Sequence, residues 1–173
     1  MERGQVEKPQ VGIVLGSASD QALGEQVIEV LTDFDVSFEL VVASAHRTPL
    51  KASSYANEAA GRGIKVLIAV AGLAAHLPGV LAAGTTLPVI GVPAAGGTLG
   101  GLDALLSIAQ MPKGIPVATV GINNGRNAAL LAVAILAAFD QELTQRLKAY
   151  RQELADKVEV GEQQVLQELK LQS

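Results

Sequence analysis

The chain of 173 residues has no cysteine, no tryptophan and only two histidines, and aromatics make up 3% of it. Each shortage removes a class of protein. Without cysteine there is no disulfide framework, no thiol nucleophile and no thiolate metal site, which agrees with a reducing, cytoplasmic setting. Two histidines are too few for most zinc sites. The formal net charge is -4 with both signs interspersed, and no basic run is present to track a phosphate backbone. Nucleic acid is therefore not an expected partner. The polar opening MERGQVEK has no apolar signal core behind it and reads as part of a disordered lead-in over residues 1–9. The long apolar stretch 127–139 falls short of the ~20 residues that span a bilayer, so it reads as a buried helix and no membrane partner is expected.

What is abundant is aliphatic. Hydrophobic residues reach 49%, mostly Ala, Val, Leu and Ile, enough for one domain to bury a core without a metal or disulfides. Short apolar runs at 10–15 (QVGIVL), 37–43 (SFELVVA), 66–71 (VLIAVA), 88–92 (PVIGV) and 116–120 (PVATV) read as five strands. Leu23, Val27, Val30, Leu31 and Phe34 recur at helical spacing after the first run, with Ser19 or Asp20 as the cap. Pro49 suits the first turn of a second helix, which continues through Tyr55, Ala56, Ala59 and Ala60 to the breaker Gly61-Arg62-Gly63. Residues 102–110 and 127–139 read as further helices.

Apolar strands alternating with helices predict an α/β fold, a doubly wound parallel sheet of flavodoxin-like or Rossmann-like layout covered on both faces. Such sheets bind ligands beyond the carboxyl ends of their strands. A single catalytic domain is read over 10–140, and a helical extension over 141–173. In that extension Leu143, Leu147, Tyr150, Leu154 and Val158 form an apolar stripe, and Gly161 is expected to break the helix before a short tail at 165–171. Packing on a neighbouring subunit and packing on its own domain are both consistent with the stripe.

Chemistry concentrates in the loops. Ser44-Ala45-His46-Arg47-Thr48-Pro49 sets a titratable imidazole beside a fixed cation at a strand exit, a pairing suited to moving a proton on an anionic substrate. Thr48 is read as the cap of the helix that Pro49 opens. Gly16-Ser17-Ala18-Ser19-Asp20 is a strand-to-helix turn where backbone N–H groups attract anions, although simple capping would also explain it. Residues 71–79 form a small-residue loop that carries His76, either as a site wall or as a packing turn. The glycine-rich loop 93–101 reads as a lid, a wall or an ordinary connection, and Asp103 as a cap. Hydrolysis through Ser17 is disfavoured because the G-x-S-x-G elbow is absent.

Five motifs in order, residues 16–20, 44–49, 74–79, 87–93 and 107–112, resemble the N5-carboxyaminoimidazole ribonucleotide mutase family of purine biosynthesis over about residues 10–155. The resemblance implies a three-layer α/β/α sandwich, a homo-octamer with C-terminal helices reaching onto neighbours, and no cofactor or metal. It implies an isomerase that moves a carboxylate from the exocyclic nitrogen of an imidazole ribonucleotide to ring carbon C4. His46 matches the family's general acid and base. Ser17, Asp20, Ser44 and Arg47 match substrate-binding positions, and Gly72, Ala74, Ala75, His76 and Leu77 match the enclosure of the carboxylate and of trapped CO2. A related branch, the aminoimidazole ribonucleotide carboxylase that uses free CO2, usually lacks the Ala-Ala-His-Leu-Pro-Gly run retained here at 74–79. Departures from the usual pattern are Leu73 in place of a glycine, Ala94-Ala95-Gly96 in place of Val-Gln-Ser, and a shortened loop at 123–126. A non-catalytic flavodoxin-like module binding a nucleotide such as FMN is the alternative outside the family, weakened by the lack of aromatics to stack on a flavin.

Overall fold

The computed structural model describes residues 8–170, and most of the expected lead-in lies outside the described residues. Five strands, β1 (Val11–Leu15), β2 (Phe38–Val42), β3 (Val66–Gly72), β4 (Val89–Ala94) and β5 (Ala118–Thr119), form one sheet in the order β2-β1-β3-β4-β5. Every neighbouring pair is parallel, with Ile13 level with Leu40 on one side and Ile68 on the other. This is the flavodoxin-like order, and the chain changes direction across the sheet between β1 and β3. Ligands bind at such a switch point because the crossovers leave on opposite faces and open a crevice between the strand ends.

Alternation along the strands builds two cores. Val11, Ile13, Leu15, Val66, Ile68, Val70, Ile90 and Val92 point to one face, under α1 (Gln21–Asp33), α5 (Gly125–Ala137) and the start of α6 (Gln141–Glu168). Val14, Leu67, Ala69 and Val89 point to the other, under α2 (Pro49–Arg62), α3 (Leu77–Ala83) and α4 (Leu102–Ala109). Burying each Val, Leu or Ile contributes about 1.5–3 kcal/mol. Helices come close where a side chain is missing. A Cβ on Gly125 would lie 2.6 Å from the Leu23 carbonyl oxygen, and Gln26 Oε1 accepts the Gly125 N–H across the α1–α5 contact.

Several elements differ from the sequence reading. The edge strands are shorter than their apolar runs. β2 leaves Leu40 and Val42 more than two-fifths exposed, and β5 keeps only Ala118 and Thr119 after Pro116, which has no N–H to donate to a ladder. Helix α3 forms where Pro78 and Gly79 read as loop, because Pro78 sits in the first turn, where no donor is lost. Asp20 stands at the cap of α1 as expected but makes no side-chain cap bond there; its carboxylate instead closes a reciprocal box with Ser17, which caps the short 3-10 turn Ala18–Asp20. Thr48 precedes α2 without a side-chain cap bond, and Gly101 rather than Asp103 stands at the cap of α4. Gly161 does not break α6. One glycine in a helix interior costs about 1 kcal/mol, too little to interrupt a helix whose other residues there are Glu, Gln, Lys, Leu and Val.

The stripe on α6 divides. Leu143 and Leu147 are buried in the core shared with α5, and Tyr150 meets Phe34 edge to face with ring centroids 5.5 Å apart. Leu154, Val158 and Val165 face solvent.

Candidate active site

Three strand exits converge at the switch point. The β1 exit turns at once into the capped segment, with Ser17 N–H donating to Asp20 Oδ2 at 3.0 Å and Ser19 N–H donating to Ser17 Oγ at 3.4 Å. Partial burial pushes the Asp20 carboxyl above its ordinary range, and the Ser17 N–H and the nearby Arg47 charge pull the other way. Asp20 and Arg47 therefore sense each other across the β1 and β2 exits.

The β2 exit is a turn closed on its own side chains. Ser44 N–H donates to Thr48 Oγ1 at 2.8 Å, the Thr48 hydroxyl donates to the Ser44 carbonyl, and Arg47 N–H donates to Ser44 Oγ at 3.2 Å. Thr48 thus stabilises the turn before the helix instead of the helix itself. Fixing the ends of this turn leaves His46 and Arg47 outside it, both exposed.

At the β3 exit the chain bends at Leu73, φ +56, and Ala75 and His76 N–H groups donate to the Leu73 and Ala74 carbonyls at 2.8 and 2.7 Å. Those two donors are turned inward. Ala75 and Leu77 are buried against the core, so the wall presents the Ala74 methyl group and the His76 ring. His76 Nδ1 lies 2.8 Å from His46 Nε2, with the rings edge to face and their centroids 4.9 Å apart. Both histidines of the chain meet in one hydrogen bond. Since one of two facing ring nitrogens must donate and the other accept, each ring fixes the tautomer of the other.

The β4 exit forms the far wall. Its turn runs from Ala95 to Gly101 and closes on itself, a Cβ on Gly101 coming 3.0 Å from the Ala95 Cα. Asn123 pins the base, its Oδ1 accepting Ala95 N–H at 2.7 Å and its N–H donating to the Pro93 carbonyl at 2.8 Å. In sequence the loop at 123–126 stands out only as shortened. Asn is one of the few types that tolerates the left-handed φ of +57 found at Asn123, and that is the signal that marks it.

The structure thus brings Ser17, Asp20, Ser44, His46, Arg47, Gly72, Ala74 and His76 to one sheet edge, with Ala75 and Leu77 behind the wall. A cavity of about 310 Å³ lined by Gln10, Lys65, Pro88, Ile135, Leu136, Phe139 and Asp140 lies at the amino ends of the strands, away from both histidines.

Comparison with known proteins identifies the family. The family described as AIR carboxylase matches residues 10–157. The N5-carboxyaminoimidazole ribonucleotide mutase of Pyrococcus abyssi is 55% identical over 150 residues, covering 87% of this chain and 86% of that one. The phosphoribosylaminoimidazole carboxylase of Saccharomyces cerevisiae is 56% identical over 143 residues, which are 83% of this chain but 25% of the yeast protein. Treponema denticola PurE, a crystal structure, aligns with a TM-score of 0.82 at 30% identity over 90% of this chain and 98% of its own. With a family model matched over most of its length and a relative 55% identical over 87% of it, the chain belongs to the AIR carboxylase family.

Proposed function

We propose that this protein is an isomerase that converts N5-carboxyaminoimidazole ribonucleotide to its C4-carboxylated isomer in purine biosynthesis. The observation that carries the reading is the His46–His76 hydrogen bond at the switch point, beside the Arg47 cation whose charge reaches the Asp20 carboxyl. In the first half-reaction the bond between N5 and the carboxylate carbon breaks, CO2 leaves, and its electron pair stays on nitrogen, which takes a proton from His46. In the second, ring carbon C4 attacks the CO2 and forms the new carbon–carbon bond. The C4 proton then passes back to His46, so protons balance, and the substrate's own carboxylate is the one-carbon donor. Such a cycle needs no cofactor.

His76, hydrogen-bonded to His46, sets which of the His46 nitrogens holds the proton. Arg47 and Ser17 are assigned to the phosphate, Asp20 to the ribose hydroxyls, and Ser44 to holding the turn that presents Arg47. Gly72, Ala74 and His76 form the wall against which CO2 is kept, backed by the buried Ala75 and Leu77, because water admitted there would hydrate the CO2. The reading extends to a cytoplasmic homo-octamer. Its support is the apolar surface left on one chain, Leu99, Leu102 and Leu106 near the site and the outer half of α6. No helix among the described residues is long and apolar enough to cross a membrane.

The deciding experiment supplies N5-carboxyaminoimidazole ribonucleotide without ATP or bicarbonate and follows the C4-carboxylated isomer. Formation of that isomer is expected, and its absence would defeat the proposal. Activity confined to aminoimidazole ribonucleotide with excess bicarbonate would make the protein a carboxylase, the reaction class named for its yeast relative.

A further inference from the structure

Among the described residues, four other than glycine hold a left-handed backbone: Asp35, Leu73, Asn123 and Lys170. Asp35 and Asn123 have short polar side chains that tolerate the region, and Lys170 follows the end of α6, where helices commonly make that turn. Leu73 has no such excuse. It is branched and apolar, and at 55% exposure it does not recover the strain by burial. A glycine would make the same bend freely. The bend is explained by the exit from β3, but the side chain is not explained by the core.

What the side chain does is reach the next loop. Leu73 Cδ2 lies 2.8 Å from where a Cβ would stand on Gly97, so its isobutyl group rests on the bare Cα of that glycine. Gly97 belongs to the turn whose base Asn123 pins. The Leu73 carbonyl meanwhile accepts the Ala75 N–H, in the turn that carries His76 to His46. Leu73 therefore bridges the wall holding the proton carrier and the tip of the β4 loop.

We propose that Leu73 is a positioning residue that seals the gap between the β3 and β4 loops and keeps CO2 beside the ring until C4 captures it. The proposal rests on the isomerase reading. Once the N5–carbon bond has broken, CO2 is small and uncharged, so no ion pair tethers it and only walls retain it. A strained residue persisting at a site that needs such a wall is the pattern expected when strain serves function.

The test uses substrate carrying 13C in its carboxylate, with unlabelled bicarbonate and carbonic anhydrase present to dilute escaped CO2. It measures the label kept in the C4-carboxylated product by the wild type and by Leu73→Gly, Leu73→Ala and Leu73→Met. Leu73→Gly should unfold no more than about 2 °C below the wild type, because relief of strain offsets the lost contact, while label loss rises at least about threefold as the enclosure opens. Leu73→Ala should leak as much and melt lower than Leu73→Gly, since it keeps the strain without the arm. Leu73→Met should restore retention. Wild-type retention in Leu73→Gly, a larger fall in its melting temperature, or equal leakage in Leu73→Met would each overturn the proposal. A wild type that makes no product would instead defeat the isomerase reading, and this proposal with it.

Discussion

At the scale of single residues the strand exits divide between those that hold the backbone and those left free to act. Ser44 and Thr48 spend their polar atoms on the turn, which frees His46 to face His76 at 2.8 Å. Because His46 is exposed, His46→Asn should fold and bind the nucleotide while turnover falls at least about 10²-fold, the usual scale of general acid–base catalysis. Single-turnover kinetics beside equilibrium binding would show it, and near-normal turnover would remove His46 from the role. Asp20 offers a pH test. Its carboxyl is raised, chiefly by burial, so the folded state keeps a proton where the unfolded chain has lost it. Stability must then fall as pH rises from the ordinary carboxylate value through the raised one, and level off above it. Asp20→Asn keeps an acceptor for Ser17 N–H and lacks this effect. Its advantage over the wild type should widen as pH rises from the ordinary carboxylate value of about 4 and then level off, read from melting temperatures. A constant difference would contradict the assignment.

At the scale of elements, glycines decide how closely helices sit on the sheet. A Cβ at Gly91 in β4 would strike Ile108 Cγ2 of α4 and come within 3.1 Å of Val117 Cγ1 and 3.3 Å of Pro78 Cβ. Helix α4, the residues before β5 and the start of α3 all pack over this one position. Gly91→Ala should therefore cost about 1–3 kcal/mol, the range for overpacking a filled core, in urea denaturation. A change within about 0.5 kcal/mol would mean that α4 slides outward easily. The α1–α5 contact follows the same logic through Gly125, and the Arg126–Glu29 ion pair at 2.7 Å beside it is exposed and contributes little.

At the scale of the whole molecule, one chain leaves both histidines exposed at the sheet edge and its last helix half used. Leu143, Leu147 and Tyr150 close the domain's own core, so deleting all of α6 would uncover it. Removing residues 152–173 instead takes away Leu154, Val158 and Val165, which contact nothing in this chain's core. The shortened protein should keep its far-ultraviolet dichroism yet sediment as a smaller species than the full chain. Sedimentation as the same oligomer as the full chain would overturn the role of the outer half of α6 in self-association.

The sequence by itself determined the parallel sheet and its strands, because continuous aliphatic runs and helical spacing are local signals that burial enforces. It marked His46 and Arg47 through their position after an apolar run. It did not show α3, whose Pro78 and Gly79 look like punctuation until the helix packs on β3 and β4, nor the unbroken α6, where helix formers on either side outweigh one glycine. Only the tertiary structure decided that His76 is the partner of His46, that Asn123 pins the β4 loop, and that Leu73 lies across to Gly97. These pairs come from different strand exits, 30 and 28 residues apart for the two hydrogen bonds. Their meeting depends on strand order, which neighbouring residues do not encode.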